Sequence, residues 1–140
     1  MPSVFIQVPT EKVFEALCGL TRHVKWANHN IVIEAGQEAP PAVGNTYTSS
    51  HKGGSLDRLT VTEMTPNERF TFRSVMPNNW EIDFSMTASA QGEGTLVTCA
   101  CKIAKIPILM SPMKLMFALV APGFDKKFLN NMKNDLEGAG

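Results

Sequence analysis

The longest helix-like stretch in the chain covers residues 111–136, near its C-terminal end. A continuous helix over these residues would be roughly 39 Å long at about 1.5 Å per residue, which is enough to cross a small domain. Up to Phe124 the only charged residue of this stretch is Lys114, whereas the remainder is amphipathic. Proline removes a helical hydrogen bond and glycine adds backbone freedom, so Pro122-Gly123 predicts a break between the two halves.

Alternating apolar and polar positions dominate the rest of the chain and indicate β-strands. An opening strand is followed by two short helices, at residues 10–20 and 21–27, and then by about six strands. Short loops between these strands favour an antiparallel meander, because parallel crossovers need about a dozen residues each. The pattern therefore predicts an α+β fold, in which a curved antiparallel sheet wraps around one long C-terminal helix. No linker interrupts residues 1–140, so we expect a single domain.

The composition is that of an ordinary globular chain, and it argues against nucleic-acid binding and membrane insertion. The 13 basic residues offset 13 acidic residues, giving a formal net charge of +0, and the basic residues are scattered, so we expect no nucleic-acid partner. The start of the chain lacks the basic and apolar regions of a signal peptide, which favours a cytoplasmic protein. Prolines and Lys114 interrupt the apolar half of the C-terminal helix, so we expect no integral membrane association.

The cysteines and histidines do not form a metal or redox motif. Cys18, Cys99 and Cys101 are too few for a disulfide framework and are expected to be reduced thiols. Cys99 and Cys101 share one face of a predicted strand, but C-x-C differs from the C-x-x-C of zinc and redox sites. The sequence also contains no nucleophile elbow, zinc-protease motif or phosphate-binding glycine loop. We expect no metal and no cofactor.

Four segments, taken in order, resemble a known family. They are IQVPTEKVFEAL followed by a short helix with Trp26, then AVGNTYTSS, VTEMTPNERFTFRS and GEGTLVTCAC. Together with the long closing helix, they resemble the polyketide cyclase/dehydrase branch of the START-related SRPBCC superfamily, which has the helix-grip fold. The resemblance implies a cavity between sheet and helix that holds a hydrophobic or amphipathic small molecule. Because members range from carriers and sensors to aromatases and protein partners, it does not fix a function, and it transfers no catalytic residue.

Aromatic residues supply most of the candidate ligand contacts. Their positions on the predicted strands and long helix direct them largely between sheet and helix, and small residues beside them leave room for a pocket. Plain core packing is the alternative for any one of them. The candidate ligand-binding residues are Trp26, Tyr47, His51, Arg58, Phe70, Phe72, Trp80, Phe84, Cys99, Met113, Phe117, Val120 and Phe124.

The strand at residues 56–64 has no purely apolar face, since Arg58 lies on one face and Glu63 on the other. A polar group is therefore expected to enter the interior, where it must be hydrogen-bonded. With Tyr47 and His51 on the neighbouring strand, it would form the polar end of an apolar cavity. Tyr47, His51 and Arg58 are the candidates for proton transfer or carbonyl polarisation, and a solvated outer face is the alternative.

Three functions remain open at this point. The first is binding of a small lipid-like or polyketide/aromatic ligand between sheet and C-terminal helix. The second is an enzyme of the cyclase, aromatase or dehydratase kind. The third is a protein-interaction module, including a homodimer, that uses the apolar first half of the helix. Since residues 113–120 are apolar nearly all round, we predict that this half is a mobile gate of the cavity.

Overall fold

All seven strands belong to one antiparallel sheet in the computed structural model, which describes residues 2–27, 31–38, 40–51 and 56–138. The strands are β1 (Ser3–Ile6), β2 (Ile31–Ala35), β3 (Thr46–His51), β4 (Leu56–Thr65), β5 (Arg69–Val75), β6 (Glu81–Gln91) and β7 (Gly94–Lys105). The helices are α1 (Thr10–Cys18), α2 (Met113–Gly138) and two 3₁₀ helices, Leu20–Lys25 and Ile108–Met110.

The strand order across the sheet is β1-β7-β6-β5-β4-β3-β2. Strands β2 to β7 therefore form a meander, in which each strand pairs with the next one along the chain. The first strand, β1, pairs with the last, β7, with Ser3 opposite Thr98. The sheet curves around α2, which confirms the predicted α+β fold with one long C-terminal helix and two short helical segments after the first strand.

Alternation along β5 and β6 separates an inner face from an outer face of the sheet. On the inner face Phe72 lies opposite Phe84, and their rings stack with centroids 5.0 Å apart. On the outer face Arg73 Nε donates to Asp83 at 2.7 Å. Aromatic side chains thus face α2, while the ion pairs of these strands face solvent.

A β-bulge in β4 explains why Glu63 does not point into the interior. Leu59 and Val61 face the interior and are buried. The pairing with β5 shifts between Val61 and Glu63, because one extra residue breaks the alternation there, and the Glu63 side chain is 47% exposed. The acid that β4 brings to the inner side is Asp57, at the other end of the strand.

The helix α2 runs without interruption from Met113 to Gly138 and contains Pro122. The predicted break at Pro122-Gly123 is therefore wrong as a helix end, although burial does change near it. No residue of α2 before Ala121 is buried, whereas the second half buries Leu129, among others. The reason is that the second half packs on β1 and β7 and is hydrogen-bonded to Trp26, while the first half lies over the cavity rim.

Hydrogen bonds anchor the second half of α2 at two places. Asp135 Oδ2 accepts from Trp26 Nε1 at 2.9 Å, and Asn131 Nδ2 donates to the Trp26 carbonyl at 2.9 Å. On the other side Lys133 Nζ donates to the Phe5 carbonyl at 2.7 Å, and Glu137 accepts from a β1-flanking amide. These contacts fix the C-terminal half of the helix to both the first 3₁₀ helix and β1.

Candidate functional site

A cavity of about 340 Å³ lies between the inner face of the sheet and α2. This volume is at the lower end of the roughly 300–1,000 Å³ typical of small-molecule sites. Its wall is mostly apolar, with a few polar groups among aliphatic and aromatic side chains. The lining residues are Leu20, His23, Ala27, Ile31, Ile33, Ser49, Asp57, Leu59, Phe72, Ser74, Met76, Ile82, Phe84, Met86, Cys99, Cys101, Phe117, Ala121, Phe124, Asp125 and Phe128.

Aromatic rings form one continuous part of the wall. The Phe72–Phe84 stack contributes about 0.5–1.5 kcal/mol beyond its buried area. Phe128 reaches in from α2, and its ring lies edge-on to His23 with centroids 5.4 Å apart. Such rings offer flat apolar surfaces to a ligand, so the cavity is suited to an aliphatic or aromatic body.

His23 is a buried, neutral histidine in this wall. Its Nε2 lies 2.8 Å from the Leu17 carbonyl oxygen. A carbonyl only accepts, so Nε2 carries the proton, and the remaining ring nitrogen is an acceptor. Burial among aromatic rings lowers the pKa of His23 to about 4, although the Leu17 hydrogen bond acts in the opposite direction. His23 therefore adds a hydrogen-bond acceptor and no charge at neutral pH.

Asp125 brings a carboxyl group into the apolar wall. It is 7% exposed, and each of its oxygens lies 3.6 Å from the Cys101 sulfur, whose thiol donates. Burial raises the pKa of Asp125, while the thiols of Cys101 and Cys99 lower it in part. Burial and the adjacent acid together raise the pKa of Cys101 to about 12, so this thiol stays protonated at neutral pH.

The cavity reaches the surface beside α2. Phe124 belongs to the wall although 66% of its surface is exposed. Phe117, about two helical turns earlier on the same face of α2, is half-buried. Ile31 and Ile33 on the edge strand β2 are likewise only partly buried. A ligand would therefore enter between the first half of α2 and β2.

Five of the sequence-predicted candidates line this cavity. They come from the sheet and from α2, and they are Phe72, Phe84, Cys99, Phe117 and Phe124. The structure brings them together because strand alternation and helical spacing place all of them on facing inner surfaces.

The other candidates lie elsewhere. Trp26, Tyr47 and Phe70 are buried in the core beside the cavity rather than in its wall. Trp80, Met113 and Val120 are partly or largely exposed and are not among the residues that line it.

Two of the three residues expected at the polar end of the cavity lie outside its wall. Arg58 is exposed on the outer side of β4, because Asp57 and Leu59 take the inner positions. The side chain of His51 lies outside the described part of the structure. Tyr47 is 5% exposed and packs with the apolar core. Of the three proposed polar groups, Tyr47 and Arg58 are thus not among the residues that line the cavity, and a different set of polar residues occupies the wall.

That different set is His23, Asp125, Ser49, Ser74 and Asp57. A signal for Asp125 was present in the sequence. It lies four residues after Ala121 and four before Leu129, so helical spacing puts it on the buried face of α2. A charged side chain on an amphipathic helix is ordinarily expected on the solvent face. His23 follows the same logic, since it lies three residues after Leu20 on a buried helical face.

Two further findings concern the described residues as a set. They contain no group of three or more His, Cys, Asp or Glu side chains arranged to hold a metal ion. None of their helices combines the length and apolar character that a bilayer-crossing segment requires.

Solved structures with the same architecture are found, although their sequences are distant. The protein MLL2253 from Mesorhizobium loti superposes with a TM-score of 0.73 at 16% identity, covering 99% of this chain and 98% of that one. The chain has the helix-grip fold. The Aha1 dimer from Colwellia psychrerythraea has a TM-score of 0.56 at 22% identity, with 99% and 96% covered. DynU16, a protein of the dynemicin biosynthetic locus, has a TM-score of 0.63 at 19% identity, and 98% of this chain matches 46% of that one.

These similarities show the fold alone, because all three identities lie below 25%. No protein-family model matches the sequence, and no curated protein sequence matches it significantly.

Proposed function

We propose that this protein binds a small hydrophobic or amphipathic molecule in the cavity between the sheet and α2. The observation that carries the proposal is an apolar cavity of about 340 Å³ whose wall includes stacked aromatic rings and a buried carboxyl group. A tightly packed core would have closed this space, since protein interiors contain few voids larger than a water molecule. The exposed Phe124 at the rim supports access from solvent.

The ligand class follows from the wall. Aliphatic residues from β2 and aromatic residues from β5 and β6 favour a lipid-like or polyketide/aromatic body. We infer, from the resemblance of the sequence segments to the polyketide cyclase/dehydrase branch, that the aromatic class is the better starting point for a screen. The fold shared with DynU16 is compatible with this choice.

The experiment compares two tryptophan substitutions on α2. Ala121 is buried in the cavity wall, whereas Ala118, one helical turn earlier, is exposed. Native mass spectrometry and organic extraction of the purified wild type, with a screen of lipids and aromatic compounds, first identify a bound molecule. Ala121→Trp fills the cavity and should weaken its binding by at least about tenfold, while Ala118→Trp should leave it unchanged. A wild type that binds nothing in extract or screen would overturn the proposal.

An enzymatic role of the cyclase, aromatase or dehydratase kind is a second candidate, and it would use the same cavity. The specific observation in its favour is that Asp125 and His23, both able to exchange protons, lie in one apolar wall with shifted pKa values. Turnover of a ketone or polyketide-like substrate should then fall by roughly 10²-fold or more in Asp125→Asn. Undiminished turnover in that variant would remove Asp125 from the mechanism.

Self-association is a third candidate, supported by an exposed apolar segment that covers residues 108–120. Ile108, Leu115 and Leu119 are 86%, 70% and 75% exposed. Large exposed apolar patches mark interaction sites. The fold is shared with an Aha1 protein solved as a dimer. We propose that a second copy of this chain covers the segment.

Size-exclusion chromatography with light scattering tests self-association. The wild type should have the mass of a dimer, and the double variant Leu115→Ser/Leu119→Ser should have that of a monomer. Val43→Ser changes another exposed apolar residue, which lies outside the segment, and should leave the dimer intact. A wild type that stays monomeric at high concentration would contradict this candidate.

A further inference from the structure

The carboxyl group of Asp125 has more accepting capacity than its surroundings use. An ionised carboxylate offers about four lone-pair sites. The described residues supply only thiols, from Cys101 at 3.6 Å and from the adjacent Cys99. Thiols are weak donors. No ion pair between described residues includes Asp125. The residue is nonetheless buried, with 7% of its surface exposed.

The wall offers Asp125 no cationic partner, since none of its described lining residues is a lysine or arginine. His23 uses its N–H on the Leu17 carbonyl, so it presents only an acceptor. A ligand that reaches Asp125 therefore meets a carboxyl group and a hydrogen-bond acceptor, with aromatic faces around them.

We propose that the ligand is a hydrophobic amine, whose protonated nitrogen pairs with the Asp125 carboxylate while its apolar body fills the aromatic part of the cavity. This inference rests on the proposed function and specifies its ligand class. An ammonium group supplies up to three strong donors. Phe124 and Phe128 flank Asp125 on α2 and also line the cavity, and aromatic faces attract cations.

Other polar groups fit the wall less well. A carboxylate on the ligand would place a second negative charge beside Asp125, and like charges in a low-dielectric site repel strongly. A hydroxyl group would donate a hydrogen bond but would leave the buried charge without a counter-ion. An ammonium group would offset the free-energy cost of removing the Asp125 carboxylate from water, and the carboxylate would offset the same cost for the ammonium group. Burial raises the pKa of Asp125, and a positive charge on the ligand would lower it.

Matched ligands test the inference. Two skeletons, one aliphatic and one aromatic, are each used with three head groups: decylamine, decanol and decanoic acid, and tryptamine, tryptophol and indoleacetic acid. Their dissociation constants are measured at neutral pH by calorimetry or fluorescence on the wild type, on Asp125→Asn, and on Glu137→Gln. The last variant removes one negative charge from the same helix outside the cavity wall.

In the wild type the amine of at least one skeleton should bind at least about tenfold more tightly than its alcohol, and the acid should bind most weakly. Asp125→Asn should abolish the preference for the amine over the alcohol, whereas Glu137→Gln should retain the preference. An amine no better than its alcohol, or a preference that survives in Asp125→Asn, would overturn the inference and leave the proposed function standing. If no head group on either skeleton binds, and extraction finds no ligand, the proposed function itself fails. The wild-type ranking decides the question even if a variant does not fold.

Discussion

The indole Nε1 of Trp26 donates a hydrogen bond of 2.9 Å to Asp135 Oδ2. Trp26 is fully buried after the first 3₁₀ helix, and Asp135 lies in the last turns of α2, so one bond joins two elements far apart in the chain. Arg22 adds a second contact to the same carboxylate at 3.3 Å. These donors lower the pKa of Asp135, the Trp26 hydrogen bond being the main cause.

Trp26→Phe should therefore destabilise the protein. The aromatic body is largely kept, but Asp135 loses its shortest hydrogen bond, and hydrogen bonds to charged groups contribute about 1.5–3 kcal/mol. We expect a loss of about 1–2 kcal/mol in the free energy of unfolding, measured by chemical denaturation, because Asp135 is partly solvated. Asn134→Ala, at an exposed position of the same helix, serves as the control. An unchanged midpoint for Trp26→Phe would show that the bond does not anchor α2.

His23 should make stability depend on pH. Its pKa is lowered to about 4 in the folded protein from 6.5, so below pH 6.5 the unfolded chain binds a proton that the folded protein does not. Stability is therefore lost as the pH falls from about 6.5 to about 4, by about 3 kcal/mol in total.

Asp125 acts with the opposite sign on acidification, because its pKa is raised and the folded protein takes up its proton first. The informative quantity is thus the difference between wild type and His23→Gln. Denaturation curves at several pH values should show a smaller loss of stability on acidification in the variant. Equal slopes for both proteins would mean that His23 does not hold a depressed pKa.

Hydrogen exchange should distinguish the two halves of α2. Residues 113–120 include no buried side chain, whereas Leu129, Met132 and Leu136 are buried in the second half. Local opening requires less free energy where few apolar contacts are lost. We expect amides of residues 113–120 to exchange faster than those of residues 129–136 in the ligand-free protein, and to slow when ligand binds. Uniformly slow exchange along α2 without ligand would exclude a gate.

Two glycine substitutions should have opposite effects. A Cβ at Gly123 meets nothing within 4 Å in the middle of α2, so Gly123→Ala should stabilise the protein by roughly 0.5–1 kcal/mol through helix propensity. A Cβ at Gly94 would collide with the Phe5 ring and lie 2.8 Å from the Ile6 carbonyl oxygen. That carbonyl belongs to the strand paired with β7, so it cannot move freely.

Gly94→Ala should accordingly lose about 1–3 kcal/mol. Thermal or chemical unfolding of both variants beside the wild type gives the comparison. A destabilising Gly123→Ala would indicate that the helix bends at this position in solution, and a neutral Gly94→Ala would contradict the close approach of β1 to β7.

Periodicity was sufficient for the architecture because most strands obey it. Phe72 and Phe84 could be assigned to an inner face from alternation alone. The face of Glu63 could not be assigned in this way, because one inserted residue in β4 reverses the alternation, and no glycine or proline in the strand marks the bulge. The continuity of α2 through Pro122 also escaped prediction, since it depends on the packing of the helix as a whole rather than on one missing hydrogen bond.

The site was harder to predict because residue type and position disagree there. Asp125 has the spacing of a buried residue and the charge that is typical of an exposed one, and it is buried. Arg58 shows the reverse conflict. The polar residues near it favoured a place at the polar end of the cavity, but strand alternation places its side chain on the outer face of the sheet. Where spacing and chemistry conflict on a regular element, spacing was the better guide in this chain.

The pairing of β1 with β7 also has a consequence for how the protein is made. The meander from β2 to β6 joins strands that follow one another, so its hairpins can close as the polypeptide leaves the ribosome. β1 must wait until β7 has been synthesised, and α2 is translated later still. Non-local pairings of this kind slow folding because a long loop must close before they form. The concave surface beneath α2 can therefore be covered by this helix only after β7 has been synthesised.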